Sequence, residues 1–326
     1  MATLGATVPN LVDVMKTIGP DGKTLRMAEL LSQLSPVIND MPMKEGNMPL
    51  GNRIQVRTSL PTPTSRRFNQ RVLPTKATSE QVDEQMAQLV DYSQVDCSVA
   101  DLNGNGSEFR MQQALAHFAG MTNEFERQAW YGNSNAVQEE LDGLLTRLTA
   151  ASDTVIDAGG AGADNSSIVL VGWGMNTVYG FYGKGMQGGL KHESKGKETS
   201  ETSDGLIDVY RDRWELNAGI CVEDPRFLGA VRAIDISTTV ADPTGATVNL
   251  MTNVLKLIHG IYDVDSPMIK PILYMNRTLF QMLDIQAQNK NNVYLQAGQE
   301  EGRPKLSFRG IPIHVSDALT ETEAVI

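Results

Sequence analysis

The sequence predicts an α+β fold in which long extensions surround a mixed body of helices and strands. Hydrophobic residues make up 41% of the chain, which is enough for a substantial core. Residues 107–131 have the spacing of one long amphipathic helix, whereas short apolar runs later in the chain are typical of buried strands. Residues 36–74 hold six of the 14 prolines, so this stretch is predicted to be extended rather than helical.

The composition excludes several classes of function. The 326 residues include 28 Lys and Arg against 39 Asp and Glu, a net charge of −11, which does not suit a protein that reads nucleic-acid grooves or binds anionic membranes. Two cysteines, Cys97 and Cys221, are too few for a disulfide framework or a Cys-rich zinc site. No signal peptide or membrane span is visible, so we expect a soluble protein that is made, and used or assembled, inside a cell.

The first element, residues 1–45, is predicted to be an N-terminal arm with one short helix. Four leucines cluster near its middle: Leu25, Leu30, Leu31 and Leu34. Thr24 is a possible N-cap and Pro36 ends the pattern, which predicts a helix over about 24–34.

Residues 46–79, called here the basic loop, are predicted to form a long hairpin. Apolar and polar residues alternate from Arg53 to Leu60, which indicates a two-faced strand. A second extended run is predicted over 67–73, beyond a proline-rich tip at 61–65. A hairpin with so few apolar residues needs a neighbouring surface to be stable.

The charge of the basic loop is its most informative feature. It contains no Asp or Glu, and its charge of +6 leaves −17 for the rest of the chain. Its six cations are Arg53, Arg57, Arg66, Arg67, Arg71 and Lys76. Three interpretations are possible: a solvated loop, an arm that binds nucleic acid, or a loop that docks on an acidic surface of another copy of the chain. We favour the last, because only Phe68 interleaves the cations and the chain itself supplies the complementary charge.

The next predicted elements are a returning strand over much of 84–99 and a long helix over 107–131. In the helix the apolar positions step by three and four residues along one stripe, with Thr122 filling one place. The members of the stripe are Met111, Leu115, Phe118, Phe125 and Ala129. Ser107 is the predicted N-cap, and Gly132 and Asn133 end the helix, which we expect to be a spine against which a sheet packs.

The remaining residues are predicted to form the mixed body. Glycine-rich residues 172–189 are expected to be irregular, and polar residues 191–205 to be an exposed loop. Trp214, Ile220 and Val222 are expected core residues of a strand region. The predicted strands lie at 168–171, within 206–236, and at 272–275, 293–295, 306–308 and 311–315. One helix is predicted over 250–261, and a second one begins after Asn276, which is its predicted N-cap.

Motifs for catalysis or cofactor binding are not visible in the sequence, so we predict no catalytic residue and no cofactor. Phosphate-loop, nucleophile-elbow and zinc-protease patterns are missing, and the four histidines are scattered. His117 is expected to be a half-exposed surface residue, and His314 a core or interface residue. Asp101, Asn103 and Asn105 match the start of a calcium loop, but Gln112 stands where calcium needs a bidentate Glu. We therefore favour a turn that leads into the spine helix over a metal site.

The order of these parts resembles the major capsid proteins of tailed bacteriophages, which have the Hong-Kong-97-like fold, and in particular podophage-type coat proteins. The basic loop lies where that family has its extended loop, and SEFRMQQALAHFAGMTNEFERQAWY (107–131) lies where it has its spine helix. Four further segments are similar in pattern and order: IVLVGWGMNTVYGFY (168–182), RWELNAGICVEDPRFLGAVR (213–232), ILYMNRTLFQML (272–283) and KLSFRGIPIHV (305–315).

The resemblance implies an arm (1–45), an extended loop (46–79), a peripheral domain (80–149 and 301–326) and an axial domain (150–300). It also implies hexamers and pentamers that form an icosahedral shell around double-stranded DNA, without sequence-specific DNA binding or membrane contact. The implied partners are a separate scaffolding protein, a portal and a decoration protein. The implied location is the virion, which is assembled in the bacterial cytoplasm. Lys76 is the only lysine of the loop, and we expect no covalent cross-link there. The alternatives are an enzyme with an unrecognised site, for example within 172–189, and a non-viral ring- or sheet-forming binding module.

Overall fold

The structure is a computed structural model, and it describes residues 33–101, 106–186, 188–202, 205–289, 295–300 and 303–325. The helices are α1 (Val37–Asp40), α2 (Cys97–Ala100), α3 (Gly106–Tyr131), α4 (Ile236–Ala241), α5 (Leu250–Gly260) and α6 (Arg277–Asn289). The strands are β1 (Met43–Glu45), β2 (Gly51–Ser59), β3 (Thr78–Gln85), β4 (Ala87–Asp96), β5 (Val155–Asp157), β6 (Asn165–Trp173), β7 (Val178–Tyr182), β8 (Gly189–Thr202), β9 (Gly205–Val222), β10 (Leu228–Asp235), β11 (Lys270–Met275), β12 (Leu295–Glu300), β13 (Arg303–Phe308) and β14 (Ile311–Val315).

One large mixed sheet organises the body, with the strand order β12-β13-β14-β11-β6-β7-β9-β4. Strand β6 is buried along its whole length, as the apolar run at 168–171 predicts, and it pairs with β11 on one side and with β10 on the other. Strand β9 is 18 residues long; β4 and β8 pair with the same first part of it along opposite edges, and β7 pairs with its last four residues. It therefore ties the spine-helix region to the centre of the sheet.

Two apolar cores lie on opposite faces of this sheet. The first includes Phe125, Trp130 and Trp173, and it packs the end of α3 against the sheet. The second packs α5 and α6 over β6, β10 and β11 through residues such as Leu257 and Leu283. The predicted core residues Trp214, Ile220 and Val222 are all buried.

The two shorter predicted helices are confirmed. Helix α5 begins after Asn249, whose side chain caps it. Helix α6 begins after Asn276, whose Oδ1 accepts a hydrogen bond from the Leu279 amide at 2.7 Å, so the predicted N-cap is correct. The strands near 272–275, 306–308 and 311–315 are also present, whereas 293–294 lie outside the described residues.

The spine helix is confirmed as α3, but its predicted cap and part of its stripe are wrong. The helix begins at Gly106, so Ser107 lies inside it and is not the N-cap. Phe125 and Ala129 are buried as predicted. Three other members of the stripe are exposed: Met111, Leu115 and Phe118. The face that meets β4 and β9 is a different one: it carries Arg110 and His117, which bond to Asp212 and Asp91, and Phe109 is buried there against Val95 of β4.

Three other local predictions are wrong. Residues 191–205 were expected to be an exposed loop, but most of them form β8, because its polar side chains pair with β9 across a long antiparallel ladder. Part of the glycine-rich stretch 172–189 is the ordered strand β7. Residues 67–73 are not a strand, because the partner of β2 is the more charged segment β3. The predicted helix at 24–34 lies outside the described residues except for 33–34, which are not helical.

Candidate assembly surface

Strands β2 and β3 form a long hairpin whose base is fixed to the body of the chain. Asn52, Ile54 and Glu84 are buried there, whereas nearly all residues between 57 and 83 are exposed. The Glu84 carboxylate accepts two hydrogen bonds from the Arg147 guanidinium, each 2.6 Å long. Because a paired charge can be buried only with good geometry, this contact fixes the direction in which the hairpin leaves the body.

A second contact fixes the other strand of the hairpin base. Asn52 Nδ2 donates to the Tyr179 hydroxyl at 3.0 Å, and Ile54 packs against Tyr179, Phe181 and Cys221. Burial raises the pKa of both the Tyr179 hydroxyl and the Cys221 thiol. Both groups therefore stay neutral and serve packing, which does not suit a reactive thiol.

Of the six predicted contact cations, Arg53 has a partner within its own hairpin. Its guanidinium lies 2.5 Å from the Asp83 carboxylate, which lowers the pKa of Asp83 by direct hydrogen bonding. The pair was not predicted, because the second extended run of the hairpin was expected at 67–73, whereas the strand that pairs with β2 is β3, which carries Asp83. The other five cations are exposed, and within the described ranges none has an ion-pair partner: Arg57, Arg66, Arg67, Arg71 and Lys76.

The outer part of the hairpin, residues 60–77, is called here the loop tip, and it also exposes large apolar side chains. Phe68 is 99% exposed and Leu73 is 85% exposed, and Leu60 and Val72 are exposed as well. Asn69 has φ 64°, a left-handed conformation that Asn tolerates, and it forms the turn that presents Phe68. The loop tip therefore combines unpaired cations with unburied apolar surface.

A second exposed apolar feature lies on the spine helix. Met111, Leu115 and Phe118, called here the helix stripe, follow one another by four and three residues and are 66%, 56% and 47% exposed. Their spacing puts them on one face of α3, and all three side chains are exposed to solvent. Large apolar side chains grouped on a surface are typical of a protein–protein contact.

The arm meets the body at two carboxyl groups, of which Glu126 is buried and Asp40 is partly buried. Glu126 of α3 is fully buried and accepts hydrogen bonds from the Val37 amide (3.3 Å), Trp130 Nε1 (3.2 Å) and Ser316 Oγ (2.7 Å). Burial, with a smaller contribution from nearby Asp40, raises the pKa of Glu126 to about 7. The Asp40 carboxylate in turn contacts His314 Nδ1 at 2.6 Å.

The histidine predictions are consistent with this geometry, and the structure describes little of the calcium-like turn. His117 is partly exposed beside Asp91, and His314 is partly buried beside Asp40.

Asp101 accepts a hydrogen bond from the Tyr210 hydroxyl at 3.4 Å, whereas Asn103 and Asn105 lie outside the described residues. In the part of the chain that the structure describes, no group of three or more His, Cys, Asp or Glu is placed to hold a metal. No helix among the described residues is long and apolar enough to cross a membrane.

Comparison with solved structures shows a close likeness to a chain of bacteriophage Epsilon15. The likeness covers 100% of this chain and 99% of that chain, with 27% identity and a TM-score of 0.81. The capsid of bacteriophage JBD30 is matched over 89% of this chain and 93% of that chain, with 12% identity and a TM-score of 0.49. An encapsulin from Synechococcus elongatus is matched over 65% of this chain and 92% of that chain, with 12% identity and a TM-score of 0.44.

Comparison with protein families gives one match across most of the sequence. No curated protein sequence matches the chain significantly. The family model for major capsid protein GP7 matches residues 19–326, which include the hairpin, the spine helix and the whole sheet. The predicted Hong-Kong-97-like capsid fold is thus confirmed. The chain therefore belongs to the major capsid protein GP7 family and is a structural protein that forms the icosahedral shell of a bacteriophage.

Proposed function

We propose that copies of this chain associate as hexamers and pentamers, and that each copy docks its basic loop on an acidic surface of a neighbour. The observation that carries the proposal is the state of the loop tip in a single copy. It holds four exposed cations without ion-pair partners in the described ranges, together with the exposed apolar side chains of Leu60, Phe68, Val72 and Leu73. Such a segment is stabilised only when another surface covers it.

The charge balance of the chain supports another copy of the same chain as the partner of the basic loop. The basic loop is +6 in a chain of net charge −11, so every copy offers both the positive segment and a negative remainder. Complementary charge favours correct encounter between copies and disfavours other orientations. Obligate interfaces of this kind bury roughly 2,000 Å² or more, which also compensates for the entropy of ordering the loop.

The function is structural rather than catalytic in this proposal. The stretch 172–189, where an unrecognised site was considered, contains β7, whose residues from Val178 to Phe181 are fully buried. The buried Cys221 thiol has a raised pKa, which disfavours the reactive thiolate. These contacts support packing as the role of this region.

Several finer points stay predictions. They are enclosure of double-stranded DNA without sequence-specific binding, a separate scaffolding protein, a portal, a decoration protein, and assembly in the bacterial cytoplasm. The division into arm (1–45), extended loop (46–79), peripheral domain (80–149 and 301–326) and axial domain (150–300) also stays a prediction. The net charge of −11 supports a DNA contact that does not depend on a broad basic surface.

Reversing the charge of the loop tip tests the proposal. The triple variant Arg66→Glu, Arg67→Glu, Arg71→Glu changes only exposed side chains, so we expect a folded subunit with unchanged circular dichroism that does not form particles. The matched control reverses three exposed lysines elsewhere, Lys184, Lys256 and Lys270, and so changes the net charge equally. We expect particles from the control in electron micrographs. Normal particles from the loop variant would contradict docking through these cations.

A further inference from the structure

An apolar groove lies between the inner face of the hairpin and the body of the chain. Its volume is about 300 Å³. Its apolar lining comes from both sides: Ile54, Val56, Val82, Leu148, Val222 and Leu228. Val82 is 38% exposed and Val56 is partly buried, whereas Ile54, Leu148, Val222 and Leu228 are buried, so Val82 and Val56 supply most of the apolar surface that the groove leaves to solvent in a single copy. An apolar side chain that entered would remove both surfaces from water, which is favourable.

The charges at the groove select what could enter it. Glu84 and Arg147, which also line the groove, neutralise each other. Glu80 lies on the same face of the hairpin, is exposed, and has no ion-pair partner within the described ranges. The uncompensated charge at the groove is therefore negative. An apolar anchor with cations beside it in sequence is the complementary partner.

The loop tip has this chemistry. Phe68 is 99% exposed, and the turn at Asn69 presents it outward. Arg66 and Arg67 precede it directly and Arg71 follows three residues later. An aromatic residue that fills a pocket, with charges at the rim, is the usual form of an interface anchor.

The tip of the same copy does not fill this groove. The hairpin ladder runs outward from Ile54↔Val82 to Ser59↔Thr78, and Phe68 lies beyond that last pair. At about 3.3 Å per residue, four strand residues alone separate Val82 from the end of the ladder by roughly 13 Å. The nearly complete exposure of Phe68 also means that it contacts almost nothing in its own chain.

We propose that Phe68 at the loop tip of one copy inserts into the apolar groove at the hairpin base of the next copy, with Arg66 and Arg67 facing Glu80. This inference rests on the proposed function and names the acceptor surface for the loop. Donor and acceptor are different surfaces of one chain, so the contact is head-to-tail and closes into a ring when the rotation permits. Each copy in such a ring gives one tip and receives one.

The helix stripe is the competing acceptor on this chain. Met111, Leu115 and Phe118 are apolar and exposed, but they project from the convex surface of a helix. A groove encloses an inserted ring on several sides and removes more of its surface from water. The groove is therefore favoured over the helix stripe, and the experiment is designed to separate them.

Photo-cross-linking identifies the acceptor directly. The full-length protein is produced with p-benzoylphenylalanine in place of Phe68, assembled, irradiated and digested, and the cross-linked peptides are identified by mass spectrometry. The inference predicts cross-links between copies to peptides that contain Val82, Leu148 or Val222. Cross-links to the peptide that contains Leu115 overturn the inference and leave the proposed function intact. Cross-links that stay within one copy overturn both the inference and the proposed docking of the loop.

A second measurement does not depend on the photoreactive group. Phe68→Ala removes the anchor from a fully exposed position, so the subunit stays folded while the concentration needed for assembly rises roughly thirty-fold. Phe68→Leu should restore most of the loss. The matched control, Leu206→Ala, truncates an exposed apolar residue outside the basic loop and should change that concentration less than about three-fold. Equal effects of Phe68→Ala and Leu206→Ala would show that Phe68 is not the anchor.

Discussion

The buried carboxyl of Glu126 makes the stability of the subunit depend on pH in a predictable direction. Its pKa is about 7 in the folded chain against 4.5 for the free side chain. Below pH 4.5 the group is protonated in both states and causes no penalty. As the pH rises through 4.5 to 7, the unfolded chain ionises while the folded chain holds its proton, so folding stability decreases.

The size of the effect follows from the same shift. Each pKa unit corresponds to about 1.4 kcal/mol, so the penalty reaches roughly 3 kcal/mol above pH 7. Glu126→Gln replaces the acid with a neutral group of the same shape. We expect this variant to gain about 3 kcal/mol relative to the wild type between pH 4 and pH 8, because only the wild type ionises at this position.

Urea unfolding of the unassembled subunit at several pH values measures this difference. Other carboxyl groups are common to both proteins and cancel in the comparison. Glu139→Gln is the matched control, because it makes the same chemical change at an exposed position. A Glu126→Gln difference that does not change between pH 4 and pH 8 would refute the reasoning.

Three further predictions concern contacts that fix the fold. Glu84→Gln leaves the Arg147 guanidinium partly buried without its carboxylate and should lower stability by about 3–5 kcal/mol in thermal unfolding; the additional change Arg147→Met should recover most of the loss. A double variant as unstable as Glu84→Gln alone would show that the pair is not the cause. Asn276→Ala removes the cap of α6 and should lower stability in urea by about 1–2 kcal/mol, whereas Asn276→Asp should retain the cap; equal losses would argue against capping. Phe125→Ala should cost about 3–5 kcal/mol in the subunit, and Phe118→Ala, on the exposed helix stripe, less than about 1 kcal/mol; similar losses would mean that the stripe is buried.

Local sequence patterns correctly predicted the elements that are stabilised by apolar burial or by contacts between residues close in sequence. The run at 168–171 becomes a strand because all of its side chains enter the core. Asn276 predicted a helix start because its side chain alone satisfies an amide of the first turn. The second half of α3 buries Phe125 and Ala129 on the predicted stripe.

Elements stabilised by distant polar contacts were not predictable in this way. Strand β8 has almost no apolar alternation, and its place depends on pairing with β9, including ion pairs such as Arg211–Glu198 at 2.8 Å. The first half of α3 turns a face other than its apolar stripe toward the sheet, and on that face Arg110 bonds to Asp212, 102 residues away in sequence. The periodicity of apolar residues along the sequence does not reveal partners that are distant in sequence.

The amino-acid composition predicted the charged part of the candidate assembly surface, and the structure added contacts that the sequence did not reveal. A segment with six cations and no acid is visible in the sequence, and five of those cations are unpaired in the described structure. The pairing of Arg53 with Asp83 required the correct register of β2 and β3. The groove joins Val56, Leu148 and Val222, which are far apart in sequence, so only the folded chain shows it.

A cryo-electron microscopy reconstruction of particles assembled from the purified protein tests the central claim most directly. We predict closed icosahedral shells in which residues 57–82 of every copy are ordered and buried against a neighbouring copy. Shells in which this segment contacts only its own chain and solvent would contradict the account.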